Sequence, residues 1–139
     1  MSEESTIPDP LEVTRQVYAA LNRRDLDAII GFLGSGCVLD ASQWGLGTHT
    51  GPKAIRELLD DWYGRLAVYG VRVVDIQDFG HGVVFVVHKG YRGTTDQSYF
   101  ELEAAPVYQW IKHMLARVTV YTDNDEARAA AERLAAERG

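Results

Sequence analysis

A carboxylate at the end of a short apolar run, followed by an aromatic loop punctuated by glycines, is the pattern in this chain best suited to chemistry: CVLDASQWGLGTHTGPKAIRE, residues 37 to 57. Asp40 ends the run, and Trp44 and His49 stand in the loop behind it. An acid beside aromatic and imidazole side chains is a place for proton transfer or for gripping a small molecule. A plainer alternative has the carboxylate capping the loop or pairing with a cation for structure alone.

Other chemistries find less support. The histidines, His49, His81, His88 and His113, show neither HxH nor HxxxH spacing, and His81 and His113 fall in turn-like sequence, so no metal site is expected. His49 is either a proton shuttle for Asp40 or a solvated loop residue. Ser35, Ser42 and Ser98 lack the context of a nucleophile elbow. Gly45-Leu46-Gly47 lacks the lysine and following helix of a phosphate loop. The lone cysteine, Cys37, sits in an apolar strand and reads as core, and a single thiol excludes an intramolecular disulfide. Acid-base chemistry is what is left.

Composition narrows the partners. At 139 residues and 46% hydrophobic the chain fits one domain over 1–139, since domains commonly run to roughly 100 to 150 residues. A net charge of -6 works against a nucleic-acid surface, and the pair Arg23-Arg24 is answered at once by Asp25 and Asp27. MSEESTIPDP has no basic and apolar signal regions, and no window approaches the roughly 18 apolar residues of a membrane span. A cytoplasmic protein with no membrane or nucleic-acid partner is expected.

Such residues need a scaffold. Asp9 can cap a helix with Pro10 at its first position and Glu12 completing a capping box, and Val13, Val17, Ala20 and Leu21 share one face. That spacing predicts a helix over about 10–22 behind a disordered leader over 1–8. Asp25 caps a shorter helix through Leu26, Ile29, Ile30 and Leu33, which Gly34 and Gly36 terminate. A strand starts at Cys37, with Val38 and Asp40 on one face and Cys37 and Leu39 on the other. Pro52 opens a third helix with a stripe of Ile55, Leu58, Leu59, Trp62 and Leu66, in a region ended by Gly70.

The pattern then changes to strands. Residues 71–79, 82–92, 97–111 and 114–122 are β-branched and aromatic runs joined at Gly80-His81-Gly82, Gly93-Thr94-Thr95 and Lys112-His113. Connections that short force an antiparallel meander. From Asp123 an alanine-rich segment predicts a helix over 124–139, whose weak stripe of Ala127, Ala131, Leu134 and Ala135 suits a surface or lightly docked tail.

Two helices, a short strand, a third helix and a curved sheet, carrying VYAALNRRDLDAIIGFL, VLD and GPKAIRELLDDW, resemble the nuclear transport factor two-like superfamily. Its SnoaL-like and ketosteroid-isomerase-like members are the nearest in pattern, over about residues 10 to 123. The resemblance implies an α+β fold: a cone-shaped, cystatin-like roll with three N-terminal helices packed on a curved antiparallel sheet around a pocket, plus a C-terminal helix. In the ketosteroid isomerase pattern a first-helix tyrosine, an aspartate ending the first strand and a protonated aspartate on the third long strand do the work. Here Asp40 takes the place of the general base, and Tyr108 stands where the oxyanion-binding acid would be. Val17 stands where the tyrosine would be, with Tyr18 turned about 100° round the helix. The steroid isomerase set is therefore incomplete.

Hairpin register adds a second line of argument. A turn at Lys112-His113 sets Trp110 opposite Leu115, Tyr108 opposite Arg117 and Pro106 opposite Thr119, with Tyr121 at the same parity as Arg117. In the resembling proteins that face lines the cavity, which leaves Val118 and Val120 on the outer face for a homodimer. The expected catalytic group is then Asp40, Tyr108 and Arg117, and the expected substrate contacts are Val17, Trp44, His49, Trp62, Trp110 and Tyr121. Simple packing is the alternative for the tryptophans, and a one-residue slip in register would turn Arg117 outward.

The resemblance implies a protein that binds a small apolar molecule and works without cofactor as an isomerase, cyclase, dehydratase or epoxide hydrolase. Asp40 would be its base or acceptor, with Tyr108 and Arg117 stabilising oxyanion charge. A non-catalytic ligand-binding or dimerisation module of the same fold is the alternative.

Overall fold

The computed structural model describes residues 9–94 and 99–139. The expected leader over 1–8 and Thr95 of the second strand connection lie outside the described residues. Asp9 caps α1 (Pro10–Arg23) by accepting from the Leu11 amide at 3.0 Å, and Arg24, with φ at 58°, ends the helix in the left-handed region. Asp25 caps α2 (Leu26–Gly31) through the Ala28 amide.

Strand β1 (Leu33–Asp40) then starts four residues before the expected Cys37, so Leu33 belongs to the sheet and Gly34 is no helix stop. A Cβ on Gly34 would sit 3.2 Å from the Leu115 carbonyl oxygen, so its missing side chain serves close strand approach. The following loop holds a 3-10 turn, Ser42–Trp44, and a short strand β2 (Thr48–Thr50), both unforeseen. Helix α3 (Pro52–Arg65) leads directly into β3 (Leu66–Gly80), which begins earlier than the expected 71. Strands β4 (Val83–Thr94), β5 (Tyr99–Ile111) and β6 (Met114–Tyr121) and helix α4 (Asn124–Arg138) complete the chain.

The sheet order is β2-β1-β6-β5-β4-β3. The last four strands form the expected antiparallel meander, and β1 joins it parallel to β6. Gly80 and Gly82, with φ at 90° and 82°, make the β3–β4 turn that a side chain would strain.

A bulge in the last hairpin decides which residues face the helices. Trp110 pairs with Leu115 as expected, but Gln109 pairs with Arg117, which leaves Ala116 as the extra residue on β6. Side chains alternate along a strand, so one extra residue exchanges the faces of everything beyond it. Tyr108 therefore pairs with Val118 and Pro106 with Val120, correcting the expected partners Arg117 and Thr119.

Each face of the sheet has its own core. Helices α1, α2 and α3 cover the first with Val13, Val17, Ile29, Ile55 and Leu59 against Val84, Val86, Tyr108 and Leu115. Helix α4 covers part of the other, setting Ala127, Ala131 and Ala135 against Val83, Phe85, Ala105 and Val107. This tail is more firmly docked than its weak stripe predicts, because alanine side chains let a helix approach a sheet closely. Arg128 adds to the seam, with its guanidinium 4.8 Å from the centre of the Phe85 ring and a 2.9 Å hydrogen bond to Gln77. Among the described residues no helix is long and apolar enough to cross a membrane.

Candidate functional site

A cavity of about 370 Å³ lies between the three N-terminal helices and the sheet face they cover. That volume is within the range of small-molecule sites. Helix α1 contributes Val17 and Leu21, α3 contributes Ile55, Leu59 and Trp62, and the loop after β1 contributes Ala41, Trp44 and Leu46. From the sheet come Cys37 and Leu39 of β1, His88 of β4, Pro106 and Tyr108 of β5, and Val118 and Val120 of β6. Among the described lining residues none carries a carboxylate, an ammonium or a guanidinium. Burial pushes the Cys37 thiol up to about 11, so it lines the wall as an inert apolar group.

Polar chemistry gathers at one place on this wall. The Tyr108 hydroxyl donates to the Tyr18 hydroxyl at 2.9 Å, and Tyr18 meets His88 Nδ1 at 2.7 Å. Both tyrosines are buried, and Tyr18 stands edge-on to the rings of His88 and Tyr108. Neither Tyr18 nor His88 was expected at the site. Tyr18 reaches it because α1 buries Val13, Thr14, Val17, Tyr18 and Ala20 together, an arc wide enough for neighbours about 100° apart to point into the same core. His88 had a usable signal: it shares the parity of Val84 and Val86 on a strand whose partner carries Tyr108.

Of the expected substrate contacts, Val17, Trp44 and Trp62 line the cavity. Trp110 does not: it is 2% exposed, and its Nε1 donates to Thr14 at 2.9 Å while its ring packs edge-on against Phe32. That is core packing. His49 also stands off the wall, with its Nε2 donating to the Leu46 carbonyl at 2.8 Å and bracing the loop that carries Trp44. Tyr121 packs on the other side of the sheet with the α4 core.

Asp40 and Arg117 form a pair on that other face, away from the cavity. One carboxylate oxygen of Asp40 accepts from the Ser42 hydroxyl at 2.6 Å, the Ser42 amide at 3.1 Å and the Thr48 hydroxyl at 3.3 Å. The other accepts from Arg117 at 3.0 Å, and Arg117 also donates to Thr119. The plain reading offered by the sequence is thus the observed one, a loop cap plus an ion pair joining β1 to β6. The expected grouping of Asp40, Arg117 and Tyr121 around the cavity with Tyr108 is corrected by the bulge at Ala116 and by the apolar alternation of Cys37, Leu39 and Ala41, which line the wall. Val118 and Val120 likewise leave the outer face, and with them goes the basis for a dimer surface there.

The Ser42 hydroxyl first, then its amide, hold the Asp40 carboxyl below its usual range, helped by Thr48 and the Arg117 charge against the opposing effect of burial. A depressed folded-state value gives stability present above the unfolded value, about 3.9, and lost as pH falls through the folded one. Asp40→Asn should therefore be less stable than the parent by about 1 kcal/mol near neutrality. Denaturant melts from neutral to strongly acidic pH should show that gap closing; a constant gap would mean that these contacts do not favour the ionised form.

A helix-capped, curved sheet with an apolar cavity between the layers is the roll of the nuclear transport factor two-like proteins. Residues 14–126 match the SnoaL-like domain, and the chain belongs to that family. Among solved structures it is similar to an NTF2-like protein of unknown function from Burkholderia pseudomallei, 17% identical with a TM-score of 0.73 over 86% of this chain and 95% of that one. An LEH-like epoxide hydrolase from M. tuberculosis is 16% identical, with a TM-score of 0.71 over 89% of this chain and 85% of that one. A protein of ketosteroid isomerase-like fold from Catenulispora acidiphila, solved in complex with trimethylamine, is 12% identical, with a TM-score of 0.72 over 86% and 92%. Likeness at these identities speaks for the fold alone. Among curated proteins none matches the sequence.

Proposed function

We propose that this chain encloses a small, mostly apolar molecule and moves a proton at one oxygen of it, as a cofactor-free isomerase, cyclase, dehydratase or epoxide hydrolase. The observation that carries this reading is the hydrogen-bonded chain Tyr108, Tyr18, His88 at the wall of an otherwise apolar cavity. When the Tyr108 hydroxyl turns its proton from Tyr18 to a ligand oxygen beside it, that hydrogen bond stabilises negative charge developing there in a poorly solvated site. Hydroxyl rotors can turn. With protonated His88 donating to Tyr18 and Tyr18 to Tyr108, the chain delivers a proton to the ligand oxygen; in the opposite sense it withdraws one. Asp40 takes no part, because it lies across the sheet.

A second reading is a binding module without turnover. What favours it is the lack of a carboxylate among the described lining residues, since proton abstraction from carbon commonly uses one. Turnover of a panel of small cyclic ketones and aryl epoxides by the parent, Tyr108→Phe and Asp40→Asn proteins separates the readings. The proposal expects turnover that Tyr108→Phe reduces and Asp40→Asn keeps. Binding without turnover across the panel leaves the binding module, and loss of turnover in Asp40→Asn alone overturns both assignments of the site.

A further inference from the structure

Among the described residues that line the cavity, Gly90 is the one glycine. It lies in the interior of the sheet, paired with Val71 of β3 on one side and with Leu102 of β5 on the other. It shares the parity of His88, and His88, Gly90 and Leu102 all line the wall, so the side chain missing at 90 is missing from the cavity face. The inside of a strand is a poor place for glycine, which loses the most backbone entropy on folding and has nothing to pack.

The usual backbone reasons do not account for it. Gly90 is not one of the glycines at positive φ, so its conformation is open to any residue. Pairing runs without a register shift through 89, 90 and 91 to both neighbouring strands, so no bulge sits there. A Cβ at 90 would lie 3.9 Å from the Gly70 carbonyl oxygen and 4.0 Å from that of Leu102, ordinary contacts, whereas at Gly34 it would come within 3.2 Å of a carbonyl oxygen. Apart from those two oxygens and its own chain neighbours, no described atom comes within 4 Å of that position, so the covering helices leave it open.

A side chain at 90 would therefore occupy cavity. The floor beside it is low as well, because Ala104 stands opposite His88 on the same wall. Two strand residues, about 7 Å of backbone, carry this low floor from His88 of the tyrosine-histidine chain to the Gly90–Leu102 pair. Trp44 and Trp62 also line the cavity, and indole rings favour a flat occupant.

We propose that Gly90 determines specificity by setting the length of ligand the cavity accepts: a flat, elongated apolar molecule holds its oxygen at the tyrosine-histidine chain and lays its far end over Gly90. This deepens the proposed function and rests on its reading of the cavity as the binding site. Short ligands stop before Gly90 and are indifferent to it, whereas long ones need the space that its missing side chain leaves.

Acetophenone and acetylnaphthalene, which carry the same carbonyl on one ring and on two fused rings, form a matched pair of probes. In Gly90→Val, which puts two methyl groups where the far ring would lie, the affinity for acetylnaphthalene should fall roughly tenfold while that for acetophenone stays within about twofold. Comparing the two probes in each protein cancels any general change in packing. Gly90→Ala should give the same ranking with a smaller loss, and it should raise the urea midpoint of the empty protein, since alanine fits this backbone and restricts the unfolded chain. In the parent itself, the far-ring protons of bound acetylnaphthalene should show nuclear Overhauser contacts to the Gly90 α protons, an outcome that does not depend on how a variant folds. Equal effects of Gly90→Val on both probes, or no contact to Gly90 at saturation, overturn the role of Gly90 while leaving the cavity reading intact. A lowered urea midpoint in Gly90→Ala overturns it too, because the glycine would then serve the bend of the sheet. Failure of both probes to bind the parent removes the cavity reading and this proposal with it.

Discussion

Tyr108→Phe should lower kcat on any substrate found for this protein by about a hundredfold, while the melting temperature changes little. Phenylalanine keeps the ring and its buried contacts, so only the hydroxyl is lost, and the Tyr18 hydroxyl still meets His88. Removing a donor to a developing oxyanion costs roughly 10² to 10³ in rate, about 2.7–4 kcal/mol of transition-state stabilisation, and a donor that must first turn from Tyr18 belongs at the low end. Loss of one neutral hydrogen bond from the folded state costs only about 1 kcal/mol. Stopped assays of kcat beside thermal melts give both numbers. A fall confined to KM would assign Tyr108 to ground-state binding and favour the module without turnover.

The second large effect concerns stability and tests the face assignment itself. Val118→Asp should destabilise the protein by several kcal/mol, whereas Arg117→Met, one residue away, should cost about 1 kcal/mol. Val118 is 7% exposed on an apolar wall, where an unpaired carboxylate loses its hydration and gains no partner. Arg117 has 40% of its side chain exposed, and its ion pair with Asp40 is correspondingly screened. Urea midpoints for the two variants decide the matter. The opposite ranking is what the unbulged hairpin would require, and it would return Arg117 to the cavity.

Much of the scaffold was legible because it follows from local rules. The caps at Asp9, Asp25 and Asp123, the proline openings at Pro10 and Pro52, and the glycine turn before β4 each express a backbone requirement that a few residues satisfy. The meander followed from connections too short for a crossover. What the sequence hid was mostly non-local. Leu33 and Gly34 continue a helical pattern as readily as they start a strand, and only pairing with Leu115 settles it. Nothing local marks Ala116 as a bulge, yet the register change around it decides whether Arg117 or Val118 meets the cavity.

The site was legible in proportion. Tyr108, Val17, Trp44 and Trp62 came from alternation and resemblance, and they line the cavity. Asp40 matches the family's general base in sequence position, but the alternation beside it turns Cys37 and Leu39 to the cavity wall and Asp40 to the other face. Tyr18 and His88 meet through residues 70 apart in the chain, a relation no local pattern displays. Fold and function therefore separate here: the family motifs position a cavity, and fold alone does not say what the side chains around it do.

The most direct measurement of the account is a side-chain chemical-shift map of the parent protein titrated with acetylnaphthalene. Binding in the cavity should move the methyl resonances of Leu39, Val118 and Val120 and the ring resonances of His88 and Tyr108, leaving those of Thr48 and Thr119 still. Shifts confined to Thr48, Thr119 and Arg117, with the cavity methyls unmoved, would place the site on the Asp40 face and contradict the account.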